Sequence, residues 1–186
     1  MGSALVSLTF DDGLRSQFEQ AVPILDQFGF PATFLLIANT EPANIDPSLE
    51  LSKTWRKTDW SENDIRGFKS MIHKGHEIGA HSVTHRYPLI DDQPKCEAEG
   101  SKEWIETRLG VEIPSYCYPF YRITEPIKNA VINAGYKQAR GGPGIPIFRQ
   151  AFRTGSRWHL TRFQPNGITA KARMSVNGYD LIAGTC

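Results

Sequence analysis

Val6-Ser7-Leu8-Thr9-Phe10-Asp11-Asp12-Gly13 opens as an alternating, β-rich run and stops at two adjacent carboxylates and a glycine. Period-two alternation predicts a buried strand that ends where the aspartates begin, with Gly13 permitting a sharp exit. Successive strand residues point to opposite sides, so at a strand end the two aspartates can divide two jobs. Adjacent carboxylates repel and are costly to desolvate, which favours either water or a cation beside them. In isolation, Asp-Asp-Gly reads equally well as a surface turn.

Working outward, Phe18, Val22, Leu25 and Phe28 recur at helical spacing, with Pro23 near the helix start and Gly29 placed just past its end. The continuous apolar run Ala32 to Ala38 suits a strand covered on both faces. Asn39 to Trp60 reads as a long irregular loop. Ser61-Glu62-Asn63-Asp64 resembles a capping box ahead of Ile65, Phe68, Met71 and Ile72, and Gly75 closes that helix before a short strand, His76 to Ala80. A third helix is expected from about Glu97 to Leu109, a strand over Ser115 to Tyr118, and a fourth helix from Thr124 to Ala134. Further on, Gly141 to Gly144 must be a loop. Arg157 to Phe163 reads as a strand, Thr169 as the cap of a last helix ending at Gly178, and Tyr179 to Ala183 as a final strand. A helix, a glycine and then a strand recur at Gly29, Gly75, Gly110 and Gly135, and the same reading extends to Gly178. This order predicts right-handed βαβ units on a parallel sheet, whose functional sites form at the C-terminal ends of the strands.

At 186 residues the chain reads as one domain, 1–186, able to bury roughly 70% of its unfolded surface. With 21 Lys and Arg against 20 Asp and Glu, bulk charge neither attracts nor repels nucleic acid, and none is expected as a partner. The cysteines Cys96, Cys117 and Cys186 form no C-x-x-C pattern, which argues against a zinc ribbon or a disulfide framework. No apolar run approaches the roughly 20 residues of a membrane span, and Met1-Gly2-Ser3 leads into a strand with no signal-peptide core.

His81 and His85 stand four apart after the third predicted strand, with Ser82 placed to cap a helical turn that would bring both rings to one face. Two neutral imidazoles and one carboxylate make a three-ligand site for zinc or another first-row metal, with a position left for water. His73 reads as a partner of a helix C-terminus, His76 as a solvent-facing strand residue, and His159 as a core or groove residue. The chain lacks G-x-S-x-G, G-x-G-x-x-G and a P-loop lysine, so serine-nucleophile, dinucleotide and NTP chemistry are unsupported. Trp55, Trp60, Tyr118, Phe120, Tyr121 and Trp158 could stack on sugar rings, although such residues more often belong to a core.

Thr9-Phe10-Asp11-Asp12-Gly13, Phe30-Pro31-Ala32-Thr33-Phe34 and His76-Glu77-Ile78-Gly79-Ala80-His81-Ser82-Val83-Thr84-His85 together resemble the polysaccharide deacetylase family with its NodB homology domain, carbohydrate esterase family 4. The resemblance extends to about Tyr136. It implies an α/β fold, a distorted, incomplete (β/α) barrel with parallel strands. It also implies a divalent metal, most often Zn with Co, Mn or Ni as alternatives, on Asp12, His81 and His85. Asp11 matches the catalytic base, and Tyr118-Pro119-Phe120 stands at the third motif, where Phe120 would offer a backbone N–H to the oxyanion. The implied activity is removal of N-acetyl groups from N-acetylglucosamine units of chitin, chito-oligosaccharide or peptidoglycan, with a carbohydrate as the partner and a secreted or cell-envelope location.

Two departures follow from the same comparison. Cys117 occupies the place of the family's third-motif arginine, and Arg140, at the end of the Tyr136 to Ala139 strand, is positioned to substitute from a neighbouring strand end. Tyr179 to Cys186 resembles the strand leading to the family's terminal histidine, the general acid, yet no histidine follows; a truncation just short of it is the favoured reading, ahead of a different acid or weak activity. The competing functions are an amidohydrolase of small cyclic amides on the same fold and a non-catalytic carbohydrate-binding relative.

Overall fold

The structure, a computed structural model, describes residues 7–39 and 57–141 together with the strands Ala172–Val176 and Tyr179–Ala183. Five short parallel strands lie side by side in chain order: β1 (Thr9–Phe10), β2 (Thr33–Leu36), β3 (Glu77–Ala80), β4 (Ser115–Cys117) and β5 (Gln138–Arg140). Phe10 pairs with Phe34, Ile78 with Phe34, Ala80 with Tyr116, and Cys117 with Arg140, so the C-terminal ends align along one edge. The result is an open half-barrel.

Helices connect successive strands. A π-turn over Gln17–Ala21 runs into α1 (Val22–Phe28), which carries Pro23 in its first turn and ends at Gly29 with φ 64°. Ser61 caps α2 (Glu62–His73), its hydroxyl accepting the Asp64 N–H at 3.3 Å, and Phe68 and Met71 face the interior. Two helices, α3 (Tyr87–Asp92) and α4 (Pro94–Leu109), separate β3 from β4, and α5 (Glu125–Asn133) precedes β5. The third predicted helix thus begins earlier, because Pro94 has its φ pre-set for a first turn, and the six-residue α3 was too short to show a period.

Phe34, Leu35, Leu36, Ile37 and Ala38 are all buried, as a strand covered on both faces requires. Complete burial of side chains such as Phe34 and Leu36 contributes about 2 kcal/mol each. Gly79 lets β3 approach its neighbours closely: a Cβ there would lie 2.6 Å from Leu35 Cδ1 and 2.8 Å from the Ser115 carbonyl oxygen. Trp60 and Tyr118 are core residues, the Trp60 indole donating to the Ile37 carbonyl at 3.0 Å.

Two expectations are corrected. The helix expected between Thr169 and Gly178 does not form over Ala172–Val176, which is a strand, β6, paired antiparallel with β7 (Tyr179–Ala183); Thr169 and Gly178 themselves lie outside the described residues. Val176 pairs with Tyr179, and the two residues that separate them in the sequence, Asn-Gly, are a two-residue hairpin signal. The final strand therefore forms, but in a separate two-stranded sheet. His76 is buried, not solvent-facing: its Nδ1 accepts the Ala32 N–H at 3.1 Å and its Nε2 lies 3.0 Å from Asp26. The Arg157 to Phe163 strand, most of the loop after Asn39, and the residues Trp55, Trp158, His159 and Cys186 lie outside the described residues.

Candidate active site

Of the five parallel strands, all but β2 deliver chemistry to the aligned C-terminal edge. β1 ends at Asp11 and Asp12, β3 at His81, β4 at the Pro119–Tyr121 turn, and β5 at Arg140. Asp12 leaves the strand conformation at φ 73°, so the two carboxylates separate. The Asp12 Oδ1 lies 3.3 Å from His81 Nε2 and 3.5 Å from His85 Nε2, and the two rings sit 4.7 Å apart. Both imidazoles are buried.

The His81–His85 turn is not the helical turn expected from the spacing. Ser82 and His85 adopt φ 67° and 55°, and α3 begins only at Tyr87. Ser82 accepts the His85 N–H on its hydroxyl at 2.9 Å, closing a tight turn rather than capping a helix. Backbone bonds from Ala38 to Ser82 (3.0 Å), from Asn39 to Val83 (2.9 Å) and from His81 to Leu36 (2.8 Å) tie the turn to the end of β2. From the other side Glu97 on α4 accepts the N–H groups of Val83 and Thr84, each at 3.0 Å, and the Thr84 hydroxyl at 2.8 Å. No local pattern in the sequence marked Glu97, because its partners lie on a different element.

Six non-glycine residues among those described have positive φ, and five of them, Asp12, Ser82, His85, Phe120 and Tyr121, belong to these strand-end turns. Such conformations cost about 1–3 kcal/mol each and persist where surrounding contacts over-determine them. Their clustering marks the corner as built for position rather than for stability.

The donor set fits a divalent cation. His81 Nδ1 bonds the Cys117 carbonyl at 2.9 Å; donating there fixes the tautomer that leaves the Nε2 lone pair facing Asp12. The donor atoms of Asp12, His81 and His85 lie within 4.8 Å of one another. Burial opposes ionisation of Asp12, but the hydrogen bond and charge of His81, with His85 and Lys57 beyond, bring its pKa down to about 2. Burial likewise opposes a charge on His81, yet Cys117 and Asp12 push its pKa up to about 10. Burial and the neighbouring His81 charge take His85 down to about 3. Without an ion, His81 thus holds the proton that balances Asp12.

Asp11, Cys117 and His81 also lie within 4.8 Å. A cation is disfavoured there because the Arg140 guanidinium already contacts Asp11 Oδ1, with both side chains largely buried. Arg140 therefore reaches the aspartate from β5, on the side left short by Cys117. Phe120 stands at φ 55°, 42% exposed, its ring 4.5 Å from that of His85 and 5.8 Å from that of Tyr87. A wall of exposed aromatic surface thus borders the histidines.

The profile of the family described as "Polysaccharide deacetylase" matches residues 1–139. YxkH of Bacillus subtilis (strain 168), assigned by name to the polysaccharide deacetylases, is 25% identical over 134 residues, covering 71% of this chain and 42% of its own length. The chain therefore spans well under half of that relative. Among solved structures, Streptococcus pyogenes deacetylase PplD in complex with acetate superposes with a TM-score of 0.67 at 21% identity, over 87% of this chain and 65% of that one. IcaB from Ammonifex degensii gives 0.64 at 19% identity, over 88% of this chain and 68% of that one. The BpsB deacetylase domain from Bordetella bronchiseptica gives 0.62 at 16%, over 84% and 69%. The shared fold is the NodB-like distorted barrel.

Proposed function

Since this chain belongs to the polysaccharide deacetylase family, we propose that it is a metal-dependent hydrolase removing N-acetyl groups from N-acetylglucosamine-containing glycans. The observation that carries this reading is the division of labour between adjacent aspartates: Asp12 faces two imidazole Nε2 atoms, while Asp11 is turned to Arg140.

Asp12, His81 and His85 would hold the ion, zinc being best suited to two imidazoles and a carboxylate. When bound, the cation supplies Lewis acidity toward the acetamide carbonyl and the attacking water. Asp11 accepts the proton from that water, and Arg140 keeps its carboxylate oriented for the task. The Phe120 N–H is offered to the oxygen on which negative charge develops. The proton taken up by Asp11 is returned to the departing nitrogen, so that the C–N bond breaks to leave acetate and a free amino sugar. The exposed faces of Phe120 and Tyr87 supply apolar surface for a pyranose ring beside the reacting group. Chitin, chito-oligosaccharide and peptidoglycan all present the required acetamide, and a polymeric substrate of this kind would go with a secreted or cell-envelope location.

Acetate release from chito-oligosaccharides and from peptidoglycan, measured with and without a chelator, tests the proposal. Release abolished by chelation and restored by zinc is expected. Ring opening of small cyclic imides without acetate release would instead assign the site to an amidohydrolase, and sugar binding without any turnover would make it a binding relative.

A further inference from the structure

Glu97 is a carboxylate with 3% exposure on α4. It could have been paired with a cation, as buried carboxylates usually are. Instead it is spent on the two backbone N–H groups and the hydroxyl lying between the histidines, Val83 N–H, Thr84 N–H and Thr84 Oγ1, at 2.8–3.0 Å. Thr84 Oγ1 in turn accepts the Arg86 N–H at 3.2 Å, carrying the restraint past His85. The turn so held contains two left-handed non-glycine residues, Ser82 and His85, which a free chain would not adopt together.

From this we infer that Glu97 is a positioning residue for the candidate metal centre: it clamps the turn between His81 and His85 and so sets the separation of their Nε2 atoms before any ion arrives. The inference rests on the metal reading of Asp12, His81 and His85. A carboxylate suits the task because one oxygen takes both N–H groups while the other takes the hydroxyl, a bidentate grip in charge-assisted bonds. Outer partners that orient metal ligands are commonly worth 10–100-fold in affinity.

Three variants separate this role from ordinary stabilisation. Glu97→Gln keeps an oxygen for both N–H groups, Glu97→Ala removes the clamp, and Ser101→Ala on the same helix breaks bonds to Ala98 O and Tyr136 Oη instead. Two readouts are needed: zinc affinity by calorimetry, and amide hydrogen exchange of His85 in the metal-free protein. The His85 N–H is bonded to Ser82, not to Glu97, so its protection reports the turn. Glu97→Ala should weaken zinc binding by about 10-fold or more and deprotect the His85 amide, with Glu97→Gln close to the parent and Ser101→Ala lowering Tm without either effect. Parental zinc affinity in Glu97→Ala, undiminished His85 protection, equal losses in Gln and Ala, or an equal affinity loss per degree of Tm in Ser101→Ala would each overturn the inference. If the parent protein binds no zinc, the metal reading fails first, and the exchange data still decide whether Glu97 holds the turn.

Discussion

Arg140 contacts the carboxylate of Asp11 from 129 positions away in the chain, linking the last strand of the parallel sheet to the first across the open face of the half-barrel. Its position opposite Cys117 in the β4–β5 register puts the positive charge beside Asp11 even though the intervening strand lacks an arginine.

Arg140→Ala is therefore expected to reduce turnover by about 10²-fold or more, as losses of proton-transfer machinery do, while bound metal stays at the parental level. Arg140→Lys should recover part of the rate by restoring charge without the planar fork. Unchanged kcat in Arg140→Ala would show that Asp11 needs no orienting partner.

Metal content discriminates the two aspartates. Asp12→Ala or His81→Ala should purify with the ion lost, whereas Asp11→Asn should retain it and lose acetate release. Elemental analysis of the variants, with about one ion per parent chain expected from a three-ligand site, decides the assignment; metal retained in both ligand variants would refute it.

Acid stability of the metal-free protein should carry the signature of Asp12. Its folded pKa of about 2 lies below the ordinary carboxyl value of 3.8, so its stabilisation is fully present above pH 3.8 and is lost as pH falls through about 2. The difference corresponds to about 2 kcal/mol, and the pH dependence of chemical denaturation below pH 4 should flatten in Asp12→Asn.

A proton should leave when zinc binds near neutral pH. With the metal-free His81 protonated up to about pH 10 and His85 neutral above about pH 3, ligation displaces about one proton, and apparent affinity should rise with pH across the neutral range. Calorimetry in buffers of different ionisation enthalpy counts the proton directly; a pH-independent affinity would contradict the assigned protonation states.

Gly79→Ala is expected to destabilise the sheet by about 1–3 kcal/mol, because the added methyl meets the Ser115 carbonyl oxygen as well as the flexible Leu35 side chain. Thermal unfolding of the metal-free variant measures this without involving the active site.

Much of the architecture was readable because local chemistry and tertiary structure agree. The helix–glycine–strand punctuation at Gly29, Gly75, Gly110 and Gly135 marks real helix ends, each glycine having positive φ. The apolar run around Phe34 announced its two-sided burial. The convergence of Asp12 with His81 and His85 followed from their places at strand ends. What was not legible depended on partners remote in sequence. His76 became a buried acceptor because α1 supplies Asp26 and the approach to β2 supplies the Ala32 N–H. His85 sits in a left-handed turn because Ser82 and Glu97 hold it there, and a four-residue spacing cannot distinguish that from a helix. The β6–β7 pairing has its local signal in the Asn-Gly that separates the two strands in sequence, whereas a threonine at 169 is equally compatible with a helix cap.

The cluster of left-handed residues at the strand ends also has an evolutionary reading. Ser82, His85, Phe120 and Tyr121 would each be relieved by glycine or asparagine, so a screen that rewards heat resistance alone should drift toward those substitutions at this corner first. Catalysts recovered from such a screen would melt later and work worse, and the positions where they fail would trace the outline of the site without any substrate being named.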